Sequence, residues 1–172
     1  MNNNIEVLIT EEDLKQAVKR VADEINLTYK NESIFAVCIL KGAAVFAADL
    51  IRELKVPVTL DFISVSSYGS STVSSGNVIL KNDIDTDVKD KNILLIEDII
   101  DTGATLQKIK EIFEQRGAKS VKICTAVDKP SRRINNLKPD FSGFEIPDEF
   151  VVGYGMDYDE KYRNLPYVGV IR

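Results

Sequence analysis

Residues 93–106, Ile-Leu-Leu-Ile-Glu-Asp-Ile-Ile-Asp-Thr-Gly-Ala-Thr-Leu, limit what this chain can fold into more than any other stretch. Ile93, Leu94, Leu95 and Ile96 form an unbroken apolar run, where a strand with one wet face would alternate. That is the pattern of a strand buried on both faces of a parallel sheet. Glu97 and Asp98 mark its carboxyl end. Past the turn, Leu106, Ile109, Ile112 and Phe113 recur at helical spacing, and Gly117 falls where a helix C-cap belongs. Open α/β sheets bind ligands at the carboxyl ends of their strands, and a loop entering a helix offers free N–H groups to an anion. The segment Asp101 to Thr105 occupies that place. Gly103 lets the backbone approach closely, and the hydroxyls of Thr102 and Thr105 add donors, a combination suited to a phosphate monoester. Two adjacent carboxylates suit a vicinal diol or a hard divalent cation such as Mg²⁺.

The remainder of the chain repeats this logic. Thr10 followed by Glu11, Glu12 and Asp13 reads as an N-cap with an acidic first turn, and Leu14, Ala17, Val18, Val21, Ala22 and Ile25 fall on one helical face. Ile34 to Leu40 is a second unbroken apolar strand that stops at Lys41-Gly42, before a helix containing Ala44, Ala47, Ala48, Ile51 and Leu54. Thr59 to Val65 is a third strand, leading into the Ser/Gly-rich segment Ser66 to Gly76, which reads as a linker or a lid. Ser120 to Val127 is another buried strand, ending at Asp128-Lys129-Pro130. Lys129 should therefore lie on the same sheet edge as Glu97 and Asp101. Asp83, Asp85 and Asp87 alternate like the start of an EF-hand, but Val88 and Leu94 stand where that loop needs Gly and Glu, leaving a solvated acidic turn.

Composition removes whole classes of chemistry. The chain has no histidine, which excludes Ser-His and Cys-His nucleophile schemes and His-rich zinc sites, so acid–base work falls to carboxylates, lysine or tyrosine. No G-x-x-x-x-G-K-[ST] is present, and Gly153-Tyr154-Gly155 lacks the third glycine of a dinucleotide fingerprint. With 172 residues, 44% of them hydrophobic, residues 1–172 are expected to form a single domain. A net charge of −5 argues against nucleic acid or a membrane surface as partner. Cys38 and Cys124 lie inside apolar runs and read as buried free thiols. The N-terminus lacks the basic flank and apolar core of a signal peptide, which makes the cytoplasm the expected location.

The string of two apolar positions, an acidic pair, two apolar positions and Asp-Thr-Gly-x-Thr resembles the phosphoribosyl-diphosphate (PRPP) motif of the type I phosphoribosyltransferases. Glu97-Asp98-Ile99-Ile100-Asp101-Thr102-Gly103 is most similar to the hypoxanthine-guanine members, and the resemblance runs from about Ile5 to Ile171. It implies an α/β fold with a central parallel sheet flanked by helices, and a small hood built from N- and C-terminal pieces. It also implies Mg²⁺-dependent transfer of 5-phosphoribosyl from PRPP to N9 of a 6-oxopurine, by a homodimer or homotetramer. Carried onto this sequence, Lys41, Gly42, Ser67, Tyr68 and Arg163 would serve the diphosphate. Glu97 and Asp98 would serve the ribose hydroxyls and metal, with Asp157 reaching a metal through water. Asp101, Thr102, Gly103, Ala104 and Thr105 would hold the 5′-phosphate, with Asp101 also taking or sharing the purine N7 proton. Lys129 would donate to O6, Ile99 and Phe150 would sandwich the ring, and backbone groups of Val151 and Asp157 would read its far edge. The resemblance further implies a closing loop headed by Ser67-Tyr68 and a non-proline cis peptide at Leu40-Lys41.

Two positions depart from the pattern. Ala104 stands where some relatives carry lysine, and Ala43 where a second glycine is common. Other readings stay open from sequence alone: an RNA-binding regulator on a related fold, a non-catalytic PRPP sensor, and an adenine or xanthine enzyme. The retained Lys129, Asp157 and Arg163 weigh against a sensor, and the acidic balance weighs against RNA.

Overall fold

Burial along the central strands alternates between two apolar layers, which explains why their sequences carry no polar face. The computed structural model describes residues 4–67 and 78–172. The elements are β1 (Ile5–Ile9), α1 (Glu11–Thr28), β2 (Ile34–Leu40), α2 (Ala44–Glu53), β3 (Val58–Ser67), β4 (Val78–Asn82), β5 (Asn92–Ile100), α3 (Ala104–Gln115), β6 (Ser120–Asp128), β7 (Phe141–Glu145), β8 (Val151–Val152) and β9 (Val168–Ile171). Leu94 and Ile96 of β5 pack with Ala36, Cys38 and Cys124 beneath α1 and α2. Ile93 and Leu95 point the other way, joining Phe35, Val37 and Ile123 against Leu106, Ile109 and Phe113 of α3. Helices thus cover both faces, as the unbroken runs require.

Local sequence accounts for the helices. Thr10 caps α1 by accepting from the Asp13 N–H at 3.1 Å, while the Asp13 carboxylate takes the Thr10 hydroxyl at 2.6 Å. The six apolar positions expected on its inner face are the six that are buried. For α2 the buried face is Phe46, Ala47 and Leu50, with Ala44 and Ala48 at the surface. A helix apolar on most sides gives the sequence no phase. Gly117, at φ 82°, follows α3 in the left-handed conformation expected of a C-cap glycine.

The larger sheet has the order β4-β3-β2-β5-β6-β7. It is parallel throughout except at β4, which runs antiparallel to β3 and makes the sheet mixed. A second sheet, β1-β9-β8, joins the two ends of the chain, with Ile5 opposite Ile171. This is the hood that the resemblance implied. β4 and β7 were not legible in the sequence, because Val-Ile-Leu-Lys-Asn and Phe-Ser-Gly-Phe-Glu are short edge strands with weak patterns. The acidic turn is solvated as expected, with Asp83, Asp85 and Asp87 all exposed, and Asp83 also forms a two-point ion pair with Arg116 just beyond α3, which holds its carboxyl below the usual range. Cys38 and Cys124 are buried and free, and burial, followed by the fields of Glu97 and Asp98, pushes the Cys38 thiol up to about 12. Among the described residues, no helix is long and apolar enough to cross a membrane. The expected closing loop, including Tyr68, lies outside the described residues, apart from its first residues at the end of β3.

Candidate active site

The sheet order reverses direction between β2 and β5. From β2 the chain passes through α2 to β3 on one side, and from β5 through α3 to β6 on the other. That boundary is a topological switch point, where open α/β sheets form a crevice. The register shows how it opens: pairing of β2 with β5 ends at Cys38↔Ile96, whereas β5 runs on beside β6 to Ile100↔Asp128. Strand β5 therefore continues past the acidic pair, two residues beyond Asp98. Glu97 and Asp98 occupy the stretch that has lost its β2 neighbour.

The end of β2 turns into this gap. The Leu40–Lys41 peptide is cis, as the resemblance implied. Gly42 lies so close to Asp98 that a Cβ there would sit 1.8 Å from Asp98 Oδ2. Only a residue without a side chain lets the Lys41-Gly42 turn reach the carboxylate.

Glu97 and Asp98 are half-buried neighbours. The Asp98 N–H donates to Glu97 Oε1 at 3.0 Å, and the Ile99 N–H donates to Asp98 Oδ1 at 2.7 Å. Burial first, and then the adjacent Asp98 charge, raises the Glu97 carboxyl well above the ordinary carboxylate range. A raised carboxyl means that the folded chain binds this proton more tightly than the unfolded chain. Its stabilising effect is complete below the unfolded value of about 4.3 and is lost as pH rises through the folded value. Glu97→Gln should therefore melt a few degrees above wild type at pH 8 without ligands, and the difference should shrink toward pH 4. Coincident melting curves at both pH values would remove the argument from buried charge.

The turn expected to hold a phosphate, residues 101–105, follows directly. Gly103 adopts φ 79° and precedes α3, and its left-handed conformation is one that side chains disfavour. Thr102 Oγ1 accepts from the Ala104 N–H at 3.4 Å, while Thr105 is exposed at the helix start. A cavity of about 160 Å³ is lined by Glu97, Ile99, Ile100, Asp101, Thr102, Gly103, Thr105 and Leu106. It joins Glu97 on β5 to the turn that enters α3.

Two arginines that sequence reasoning passed over hold this turn in place. The Arg133 guanidinium is buried, paired with Asp128, and donates to the backbone oxygens of Asp101 at 3.1 Å and of Leu137. The Ile134 N–H adds a bond to the Thr102 oxygen at 3.1 Å. Arg132 Nε reaches Asp101 Oδ1 at 3.1 Å, and its NH1 lies 3.5 Å from Asp148 Oδ2. Nothing local in Pro130-Ser131-Arg132-Arg133 marks it as part of a site, and only the fold places it over residues 101–103. Removing one member of a buried pair leaves the other charge uncompensated, at about 3–5 kcal/mol. Arg133→Met should accordingly lower the melting temperature by roughly 6–20 °C, and a shift below 3 °C would show that the pair is dispensable.

The other expected site residues divide between sheet edge and hood. Lys129 follows β6 and is 7% exposed. Its N–H donates to the Ile100 oxygen at 3.0 Å, and among the described residues no carboxylate lies within 4.0 Å of its ammonium group. Phe150 is half exposed and meets Tyr158 edge-on at 5.6 Å, while Val151 is buried opposite Val170. Asp157 Oδ1 lies 2.9 Å from Arg163, whose NH1 donates to the Gly155 oxygen at 2.8 Å. Lys41 Nζ lies 3.0 Å from Glu160. Ser67 ends β3, and Tyr68 lies outside the described residues.

A mixed sheet with a switch-point crevice, an acidic pair on the stretch of β5 that has lost its β2 neighbour and a left-handed glycine turn entering the next helix are the features of an α/β enzyme that acts on a phosphorylated sugar or nucleotide. The family model for the phosphoribosyl transferase domain matches residues 8–159, and the chain belongs to that family. It is 52% identical to the hypoxanthine-guanine phosphoribosyltransferase of Bacillus subtilis, across 100% of this chain and 96% of that protein. A crystal structure of a hypoxanthine-guanine phosphoribosyltransferase from Bacillus anthracis superposes with a TM-score of 0.94 at 48% identity, covering 98% of this chain and 100% of that one. A hypoxanthine phosphoribosyltransferase from Staphylococcus aureus gives 0.94 at 43% identity, covering 97% and 91%.

Proposed function

We propose that this chain is a purine-salvage enzyme that transfers the 5-phosphoribosyl group of PRPP to N9 of hypoxanthine and guanine, releasing diphosphate. The observation that carries the reading is the cavity shared by Glu97 and the Asp101–Leu106 turn, because a ribose 5-phosphate needs a diol acceptor and a phosphate cradle side by side. Backbone N–H groups of residues 102–105 and the Thr102 and Thr105 hydroxyls bind the 5′-phosphate. At position 104 only backbone serves, since Ala104 offers no side-chain donor. Glu97 and Asp98 accept from the ribose hydroxyls. Lys41, the Gly42 N–H, Ser67, Tyr68 and Arg163 hold the diphosphate.

Departure of diphosphate leaves positive charge on the ribose ring, so the site must stabilise the leaving group and manage the purine proton. Asp101 accepts or shares the proton at N7. Lys129 donates to O6, Ile99 and Phe150 flank the ring, and backbone groups of Val151 and Asp157 read its far edge. The donor set fits magnesium: Glu97 and Asp98 offer adjacent hard oxygen ligands, joined through the Asp98 N–H to Glu97 Oε1, and Mg²⁺ is usually held by one or two carboxylates together with substrate phosphate and water. Glu97, Asp98 and, through water, Asp157 would hold Mg²⁺, which when bound neutralises charge on the diphosphate. A homodimer or homotetramer in the cytoplasm accompanies this reading, supported by the family resemblance.

The test is nucleotide formation from PRPP and Mg²⁺ with hypoxanthine, guanine, xanthine and adenine in turn. Turnover of hypoxanthine and guanine is expected. Failure with both, using folded protein, would overturn the reading.

A further inference from the structure

Glu160 bridges the two cations assigned to the diphosphate. Its Oε2 lies 3.0 Å from Lys41 Nζ, and its Oε1 lies 3.4 Å from Arg163 NH2. Arg163 comes from the C-terminal segment and Lys41 from the end of β2, so one carboxylate spans two elements with its two oxygens. Two anionic oxygens shared between a lysine and an arginine reproduce the contacts that a phosphoryl group would make.

The backbone aims this carboxylate deliberately. Tyr158 and Lys161 exchange both N–H···O bonds, each 3.1 Å, around a two-residue turn in which Asp159 and Glu160 have φ 52° and 59°. Positive φ at both central positions defines a type I′ turn, whose second central position favours glycine. Here it carries glutamate. The Glu160 N–H is further tied to Asp157 Oδ2 at 2.9 Å. A less favoured residue is thus held in the one place where its charge faces Lys41.

We propose that Glu160 is an internal stand-in for the diphosphate, occupying its cations in the free protein and being displaced when PRPP or diphosphate binds. The inference rests on the assignment of Lys41 and Arg163 to the diphosphate. Affinity for the incoming anion is lowered by the fraction of molecules in which Glu160 holds those cations. The same competition speeds release of the diphosphate product. Lys41 and Glu160 are largely exposed and Arg163 is partly buried, so the effect is modest, about two- to fivefold, in keeping with exposed ion pairs.

The test measures PRPP kinetics and calorimetric binding of inorganic diphosphate with Mg²⁺ for wild type, Glu160→Gln, Lys41→Met and the double variant. Glu160→Gln should lower KM for PRPP and Kd for diphosphate about two- to fivefold, leave KM for hypoxanthine unmoved, and lose this gain in the Lys41→Met background. Glu160→Gly, which suits the turn, should show the same gain, and melting curves confirm folding. If Lys41→Met raises KM for PRPP but neither Glu160 variant lowers it, the stand-in role is overturned while the diphosphate assignment survives. If Lys41→Met leaves PRPP and diphosphate affinity unchanged, the assignment itself fails and the inference falls with it.

Discussion

Asp101→Asn should lower kcat by about 10²- to 10⁴-fold while PRPP still binds, the usual worth of a positioned proton acceptor. In a chain without histidine, Asp101 lies between the acidic pair and the phosphate turn and lines the same cavity as Glu97. Its backbone is fixed by Arg133 and its carboxylate is met by Arg132. Asparagine keeps the size and one carbonyl oxygen, so the 5′-phosphate contacts from backbone N–H groups should persist and KM for PRPP should change little. Steady-state kinetics with hypoxanthine and a separate PRPP binding titration divide the two effects. A near-normal kcat would end the acid–base assignment. A collapse of PRPP affinity with kcat intact would instead make Asp101 a binding residue alone.

The second large effect concerns the choice of purine. Lys129 is 7% exposed, and among the described residues no carboxylate lies within 4.0 Å of its ammonium group, which leaves that group open to an acceptor on a ligand. Ammonium has three donors and no acceptor. Hypoxanthine and guanine present O6, whereas adenine presents an amino group and would leave the lysine facing another donor. A mismatch of this kind can cost about 10⁴-fold or more in kcat/KM, far more than shape alone enforces between such similar rings. Adenine should therefore be a negligible substrate. Lys129→Gln, whose amide both donates and accepts, should lose activity on hypoxanthine and narrow the gap to adenine. Comparable wild-type rates with adenine and hypoxanthine would falsify the role of Lys129 at the base.

Hydrophobic periodicity carried much of the fold. The runs at 34–40 and 93–96 proved to be central strands because a parallel sheet covered on both faces leaves no position for a polar residue. Helix α1 was legible down to its cap, since its buried stripe and its N-terminal chemistry are local. The phase of α2 was not, because apolar residues surround most of it. Edge strands β4 and β7 escaped for another reason: each has five residues and a weak pattern of its own, and only pairing with the preceding strands β3 and β6 makes them part of the sheet.

For the site, order along the chain already placed the acidic pair, the Asp101–Thr105 turn and Lys129 on one sheet edge, because the strand ends of a parallel sheet line up. The crevice itself was decided by tertiary structure, through the point at which β2 stops pairing with β5. So were Arg132 and Arg133, whose partner Asp101 lies about thirty positions earlier, and Glu160, whose partner Lys41 lies 119 positions away. Ion pairs between distant segments leave no periodic trace, since a charged residue in a loop looks the same in sequence whether it faces water or closes a site.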